Sequence, residues 1–402
     1  MDSKSDYRAC VDLGTDCCGC ELCIEVCPRG VFSAARDSVG FFYPKAEAEK
    51  CISCGLCSRK CPVINSKNLA ESTHNIGVFA GWSTDEDTLM KSSSGGLFSA
   101  LAKAVFAENG KVAGAVYSEG FKAVEFFIAD NYSGIEAMRG SKYVQGRKSD
   151  IYRRVKTELK NCPVLFCGTP CEVAALVSYL GGAPENLYTC DFLCYGPTTE
   201  AALSQTVEHL ERKYHSRIAA LTMRNKRFGW TPKYIFKCVF SNGKSYENFF
   251  GNMPIGTAFT SLKRPSCHSC KFKDNMRASD ITMADYWDII GNSEAVEYNK
   301  NGTSLVIVNT LKGKQLFEKI EDFYSFSTEQ LFAQKKPKAL VSCAPVSPSR
   351  GPFEGKFVKM GLIEAVRASK SAKSKLMEYV PLPVKYYGLK LLAKMRSFRN
   401  RS

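Results

Sequence analysis

The chain lacks the features that announce several protein classes. Its 402 residues contain no apolar run near the roughly 18 positions of a membrane-spanning helix. Its first residues, MDSKSDYRAC, lack the apolar stretch of a secretory signal, so a cytoplasmic protein with reduced thiols is expected. Histidines number four and form no metal-like group, which argues against a histidine-built metal site. No G-x-G-x-x-G phrase is present to cradle a dinucleotide in Rossmann fashion. No nucleic-acid-binding motif or basic stripe interleaved with aromatics occurs. Acids are short, 40 against 55 Lys and Arg, for a formal charge of +15. Much of that is local, because residues 370–402 hold nine basic residues and one acid, Glu378.

Cysteine, by contrast, is abundant at nineteen residues. The phrase Cys17-x2-Cys20-x2-Cys23-x3-Cys27-Pro28 recurs 34 residues later as Cys51-x2-Cys54-x2-Cys57-x3-Cys61-Pro62. Thiolates are soft ligands suited to iron-sulfur clusters, and this is the bacterial ferredoxin spacing, in which the fourth cysteine serves the other cluster. The spacing assigns Cys17, Cys20, Cys23 and Cys61 to one 4Fe-4S cluster, and Cys51, Cys54, Cys57 and Cys27 to the second. Zinc modules need only two separated pairs, whereas each phrase here crowds three cysteines into seven residues and ends in Cys-Pro. Cys10 and Cys18 fall outside the spacing and read as spare thiols.

Residues 1–66 thus form a cluster module and the polar stretch 66–75 a linker. Beyond it, period-2 and period-3.6 patterns alternate. Strands are expected at 76–82, 111–117, 123–129, 163–166, 187–193, 217–223, 234–240, 280–283 and 304–309, with helices at 97–107, 150–160, 171–180, 199–214 and 314–322. Near the end, Val384, Tyr387, Leu391, Met395 and Phe398 line one face of a helix studded with Lys and Arg. Such a helix lies on an anionic membrane surface or docks on its own domain.

Five further phrases are SSSGG at 92–96, RGSKYVQ at 139–145, LFCGTPCEVAAL at 165–176, DFLCYG at 191–196, and RPSCHSCKF with SDITMADYWDI within 264–289. In this order, and over about residues 17–345, the chain resembles the coenzyme F420 hydrogenase/dehydrogenase beta-subunit family. The resemblance implies a flavin-containing iron-sulfur oxidoreductase exchanging hydride with coenzyme F420. It also implies the fold class: an α+β ferredoxin-like cluster module, then a larger mixed α/β flavin-binding region divided into family regions 76–160 and 161–345, then a basic tail, 346–402. Chemistry agrees, since clusters move single electrons, and FAD is the usual converter to hydride transfer.

The resemblance further places a third 4Fe-4S cluster on Cys171, Cys194, Cys267 and Cys270; from the residues alone, structural zinc or buried free thiols stay open. For the flavin, Ser92, Ser93, Ser94, Gly95 and Gly96 offer hydroxyls and N–H groups at a helix start, where a serine cap with glycines is the plain alternative. Arg139, Ser141, Lys142, Tyr143, Gln145 and Thr169 complete the expected contacts. Lys226, Arg227 and Trp230 share a loop able to receive an anionic substrate, and Asp285 or Tyr286 is the candidate proton donor, with capping or core hydrogen bonding as the alternative. The expected partners are ferredoxin, coenzyme F420 or a partner subunit, a small-molecule substrate, and peripheral contact of the basic helix with the inner membrane face. A second reading is an electron-transfer subunit feeding a partner enzyme, in cell-surface polysaccharide synthesis. A third is a redox-responsive binding protein holding clusters without flavin.

Overall fold

Strands β1 (Phe32–Arg36) and β2 (Phe42–Ala46) form an antiparallel hairpin between the two cysteine phrases, in register from Phe32 opposite Ala46 to Arg36 opposite Phe42. Asp37 makes the turn. Its Oδ1 accepts from the N–H groups of Val39, Gly40 and Phe41 at 3.1, 2.8 and 2.8 Å. The coordinates are a computed structural model that describes residues 7–69, 76–274, 276–290, 297–371 and 380–399. Each phrase folds into a loop and a one-turn helix, Leu22–Val26 and Leu56–Lys60, entered through left-handed residues Glu21 (φ 61°) and Gly55 (φ 66°).

The larger region is built on β3 (Gly77–Ser83), β4 (Lys111–Tyr117), β5 (Val124–Ala129), β6 (Val164–Gly168), β7 (Leu187–Phe192), β8 (Ile218–Asn225), β9 (Ile235–Phe240), β10 (Ser245–Phe249), β11 (Ile281–Asp285), β12 (Ser304–Val308) and β13 (Phe323–Ser327). Eight of them form one mixed sheet, ordered β13-β3-β12-β11-β7-β6-β4-β5. The run β4-β6-β7-β11 is parallel, with antiparallel strands outside it. Both faces are covered, which is why β6 and β7 read as nearly continuous apolar runs. Val112, Val116 and Leu165 pack with helices Leu97–Ala107 and Leu311–Glu318 on one side. Ala113, Val164 and Phe166 pack with helices Ile151–Glu158 and Pro170–Leu180 on the other.

A second, antiparallel sheet β10-β9-β8 shares a core with helices Glu200–Tyr214, Pro254–Ser261 and Arg350–Ser369. That last helix lies in what the sequence assigns to a basic tail, yet it buries Phe353, Phe357 and Leu362. Strands from both sides of residue 160 likewise interleave in the large sheet, because parallel β4 and β6 require a crossover connection. Strands β10 and β13 escape the sequence pattern, being short and half polar. The helix expected from Lys314 begins at Leu311, where the Thr310 hydroxyl caps it by accepting from the Gly313 N–H at 3.0 Å. Among the described residues no helix is long and apolar enough to cross a membrane.

Candidate metal centres

Cys17, Cys20, Cys23 and Cys61 line one cavity of about 460 Å³, partly open to solvent, together with Cys10 and Cys18. Cys27, Cys51, Cys54 and Cys57 line a second, of about 320 Å³. Each cavity takes three cysteines from one phrase and a fourth from the other. Among the described residues, no three His, Cys, Asp or Glu side chains converge as they would about a single metal ion. The sulfurs stand around hollows rather than around a point, which fits a cluster's donor set better than one zinc ion.

Local backbone geometry serves these sulfurs. Left-handed Gly19 (φ 70°) and Ser53 (φ 51°) turn their N–H groups back onto Cys17 Sγ and Cys51 Sγ, each at 3.4 Å. The Val31 N–H reaches Cys27 Sγ at 3.4 Å. The thiol of Cys10, buried at the rim, shares hydrogen bonds with Cys23, Cys57 and Cys61. The bond from Cys10 holds Cys61 down at about 7. Cys10 and Cys18, spare by spacing, are therefore part of the site's wall, and only tertiary contact reveals it.

Parallel β6 and β7 end at the same edge of the sheet, and their ends carry Cys171, second residue of the following helix, and Cys194. The 3-10 turn Pro265–Ser269 supplies Cys267, and Cys270 follows directly. Every pairing of these four thiols interacts electrostatically, each disfavouring ionisation of the next. Burial pushes Cys194 up to about 12 and Cys267 well above the usual thiol range, so thiolates here require a compensating cation. The N–H groups of Gly196 (φ 88°) and Phe272 approach Cys194 Sγ and Cys270 Sγ at 3.2 and 3.5 Å, as in the first module. Cys18 joins the two regions, sharing hydrogen bonds with Cys20 on one side and Cys171 on the other.

The serine-glycine loop and the 139–145 segment do meet. Ser93 Oγ accepts from the Ser141 N–H at 2.8 Å and lies 3.0 Å from its hydroxyl. Most of the expected flavin contacts, however, are engaged by protein. Ser92 donates to Thr88 O at 2.7 Å and Ser94 to Thr303 O at 2.9 Å. Gly95 is wedged against β3, where a Cβ would lie 2.3 Å from Gly81 O, and Gly96 (φ 93°) starts the Leu97–Ala107 helix. Arg139 Nε donates to Ser99 Oγ at 3.1 Å, and its guanidinium also bonds the Tyr132 hydroxyl. Lys142 is ringed by the carbonyls of Met138, Arg139 and Gly140, and burial pushes it down to about 7. Tyr143 packs among Tyr234, Phe250 and Phe259. Thr169 caps its helix and touches Cys171 Sγ at 3.1 Å. Gln145 lies elsewhere, donating to Gly19 O at 3.3 Å beside the first cavity.

Asp285 is no free acid. Its oxygens accept from both terminal nitrogens of Arg224 and from Trp230 Nε1 at 2.7 Å. Tyr286 is fully buried in an apolar cluster with Val78, Trp230, Leu305 and Phe332. Around Asp285 lies a cationic and aromatic wall that the sequence did not assemble: Trp230 stacks on Trp287 at 4.1 Å, and Arg224 sits 4.2 Å over Tyr234. Lys226 Nζ bridges Leu89 O and Ser94 O at 2.6 and 2.7 Å; burial, then Arg224, lowers it to about 7. Arg227 instead pairs with Glu247 near the surface.

Comparisons with known proteins bear on these sites. Residues 16–65 match the model of a 4Fe-4S dicluster domain. Residues 78–147 match the coenzyme F420 hydrogenase/dehydrogenase beta subunit N-terminal model, and 163–332 its C-terminal model. Among solved structures, a chain of the F420-reducing [NiFe] hydrogenase complex from Methanosarcina barkeri is 16% identical, with a TM-score of 0.47 over 73% of this chain and 91% of that one. No curated protein matches. With both family models matched in order behind an iron-sulfur module, the chain belongs to the coenzyme F420 hydrogenase/dehydrogenase beta-subunit family, a family of iron-sulfur oxidoreductase type.

Proposed function

We propose that the chain is a flavin- and iron-sulfur-dependent oxidoreductase, passing electrons between ferredoxin-type 4Fe-4S clusters and FAD, with coenzyme F420 or another small organic molecule as hydride partner. The observation that carries this reading is the pair of cavities, each lined by four cysteines drawn three and one from the two phrases. Cys17, Cys20, Cys23 and Cys61 would hold one cluster, Cys27, Cys51, Cys54 and Cys57 another, and Cys171, Cys194, Cys267 and Cys270 a third. When bound, the clusters supply one-electron transfer and the flavin couples it to two-electron chemistry.

The chain's own residues set the terms of that traffic. N–H groups of Gly19, Ser53 and Val31 point at the sulfurs, and such bonds help set cluster potential. Cys54 is exposed, so the second cavity is the side an external redox partner can approach, while Cys18 sets the first cavity beside the third group. The polar side chains expected to hold the flavin are largely bonded to protein, so no contact is assigned to it. Anaerobic optical titration tests the function. Bleaching of the visible spectrum by reduced F420, NAD(P)H or reduced ferredoxin identifies the partner. A chain that none reduces without a companion subunit would favour the electron-transfer-subunit reading.

The basic helix Leu382–Arg399 supports a peripheral membrane contact. Tyr386, off the predicted stripe, stacks on Phe228 at 4.2 Å and fixes the helix to the 226–230 loop. Stripe residues Val384, Tyr387 and Leu391 stay 59, 61 and 61% exposed; the side chains of Met395 and Phe398 lie outside the described set. Near an anionic bilayer each Lys or Arg contributes about 1 kcal/mol. The whole chain is expected to sediment with vesicles containing phosphatidylglycerol and not with neutral ones, and Tyr387→Asp with Leu391→Asp should release it. A parent chain that stays in the supernatant contradicts the idea.

A further inference from the structure

Arg264 is among the largest fully buried side chains, 1% exposed, and it stands between the two cysteine regions. Its Nε donates to Cys17 O at 2.8 Å, and its Nη1 to Gln145 Oε1 at 3.1 Å. Gln145 in turn accepts from the Phe42 N–H at 3.2 Å and donates to Gly19 O. The guanidinium lies 4.3 Å over the Tyr43 ring and 5.7 Å from that of Phe41. On the backbone side, Arg264 N donates to Pro197 O at 3.0 Å, and its carbonyl accepts from the Cys267 N–H at 3.0 Å. One residue thus grips the Cys17 loop with its side chain and the Cys267 turn with its main chain.

Two details show that this placement is built. Gly19 admits it, since a Cβ there would fall 2.2 Å from Gln145 Nε2 and 2.8 Å from Arg264 Cζ. And among the described residues Nη2, buried behind the Cys17 loop, has no hydrogen-bond partner.

We infer that Arg264 is a positioning residue that holds a buried positive charge against the Cys17 loop, behind the cavity lined by Cys17, Cys20, Cys23 and Cys61, and so makes the cluster carried there the easier of the two ferredoxin-type clusters to reduce. The inference rests on the proposed cluster assignments. One-electron uptake adds one negative charge to the site with no bond broken, and a buried guanidinium stabilises that charge; net charge and hydrogen bonds to sulfur are established determinants of potential.

The test is an EPR-monitored redox titration of the whole anaerobic protein and its Arg264→Gln variant. The variant should lower the potential of one ferredoxin-type cluster enough to change its reduction equilibrium at least tenfold, 59 mV for a one-electron couple, and leave the other unmoved. Arg264→Lys, which keeps the charge but not the reach, should fall between. If the Gln variant takes up no iron, the Lys variant decides alone. Full iron with unshifted potentials in whichever variant loads overturns the role of Arg264, and equal shifts in both clusters would mean mere structural loosening. A parent protein without cluster signals would instead sink the cluster assignments themselves.

Discussion

A Cys61→Ser chain is expected to lose the cluster of the first cysteine phrase, although Cys61 belongs to the second. Anaerobic iron analysis should show about four irons fewer per chain. The stronger form uses pairs. Cys61→Ser with Cys20→Ser removes two ligands from one cavity and should lose no more than either alone, about four irons. Cys61→Ser with Cys54→Ser strikes both cavities and should lose about eight. If Cys61→Ser proved additive with Cys20→Ser and not with Cys54→Ser, each phrase would serve its own cluster. Cys10, hydrogen-bonded to Cys61 and lining the same cavity, is the thiol best placed to substitute, so the pairs are read again in a Cys10→Ala background.

Cys267→Ser is expected to reduce iron by about four per chain while the EPR signals of the ferredoxin-type pair persist. Burial, with the neighbouring thiols, holds Cys194 and Cys267 above the usual thiol range, a cost that a bound cation offsets, and loss of one ligand opens the set. Gly196→Ala is expected to act in the same direction, because a Cβ there would lie 2.7 Å from Cys267 Cβ, at a backbone with φ 88° that disfavours alanine. Loss of one zinc with iron unchanged would mark a structural zinc site, and no change in either metal would leave four buried thiols.

These sites differed in how far the sequence disclosed them, for reasons of distance along the chain. The ferredoxin phrases are local, since a cluster needs three thiolates within seven residues, and that spacing is visible in one dimension. Cys171 and Cys194 are grouped in the sequence only by the family resemblance; the structure shows parallel β6 and β7 delivering their ends to one edge. Arg264 was not legible: its bond to Cys17 spans 247 positions, and nothing in an Arg-Pro dipeptide shows which carbonyl the side chain reaches. Gln145 comes with the 139–145 phrase, and in the structure its amide faces Gly19. The polar loop 92–96 shows a related limit. Ser92 and Ser94 carry donors that suit a phosphate, and the fold uses them to close its own carbonyls.

The helix Arg350–Ser369 shows the same limit in packing. Its place in the basic C-terminal stretch reads as a tail, yet Phe353 and Phe357, one turn apart, and Leu362, just past the break at Gly361 (φ 78°), are buried in the core shared with the Glu200–Tyr214 helix. In the terminal helix the stripe residues Val384, Tyr387 and Leu391 are exposed, while Tyr386 holds the helix from a different face.

The central claim is that the adjoining cysteine sites, the ferredoxin-type pair and the group of Cys171, Cys194, Cys267 and Cys270, serve one bound flavin. Quantitation of iron, acid-labile sulfide and flavin in the whole chain purified without air tests it most directly. About twelve irons, twelve sulfides and one flavin per chain are predicted. A colourless protein, or one that is brown with iron and sulfide but yields no flavin on denaturation, would contradict it.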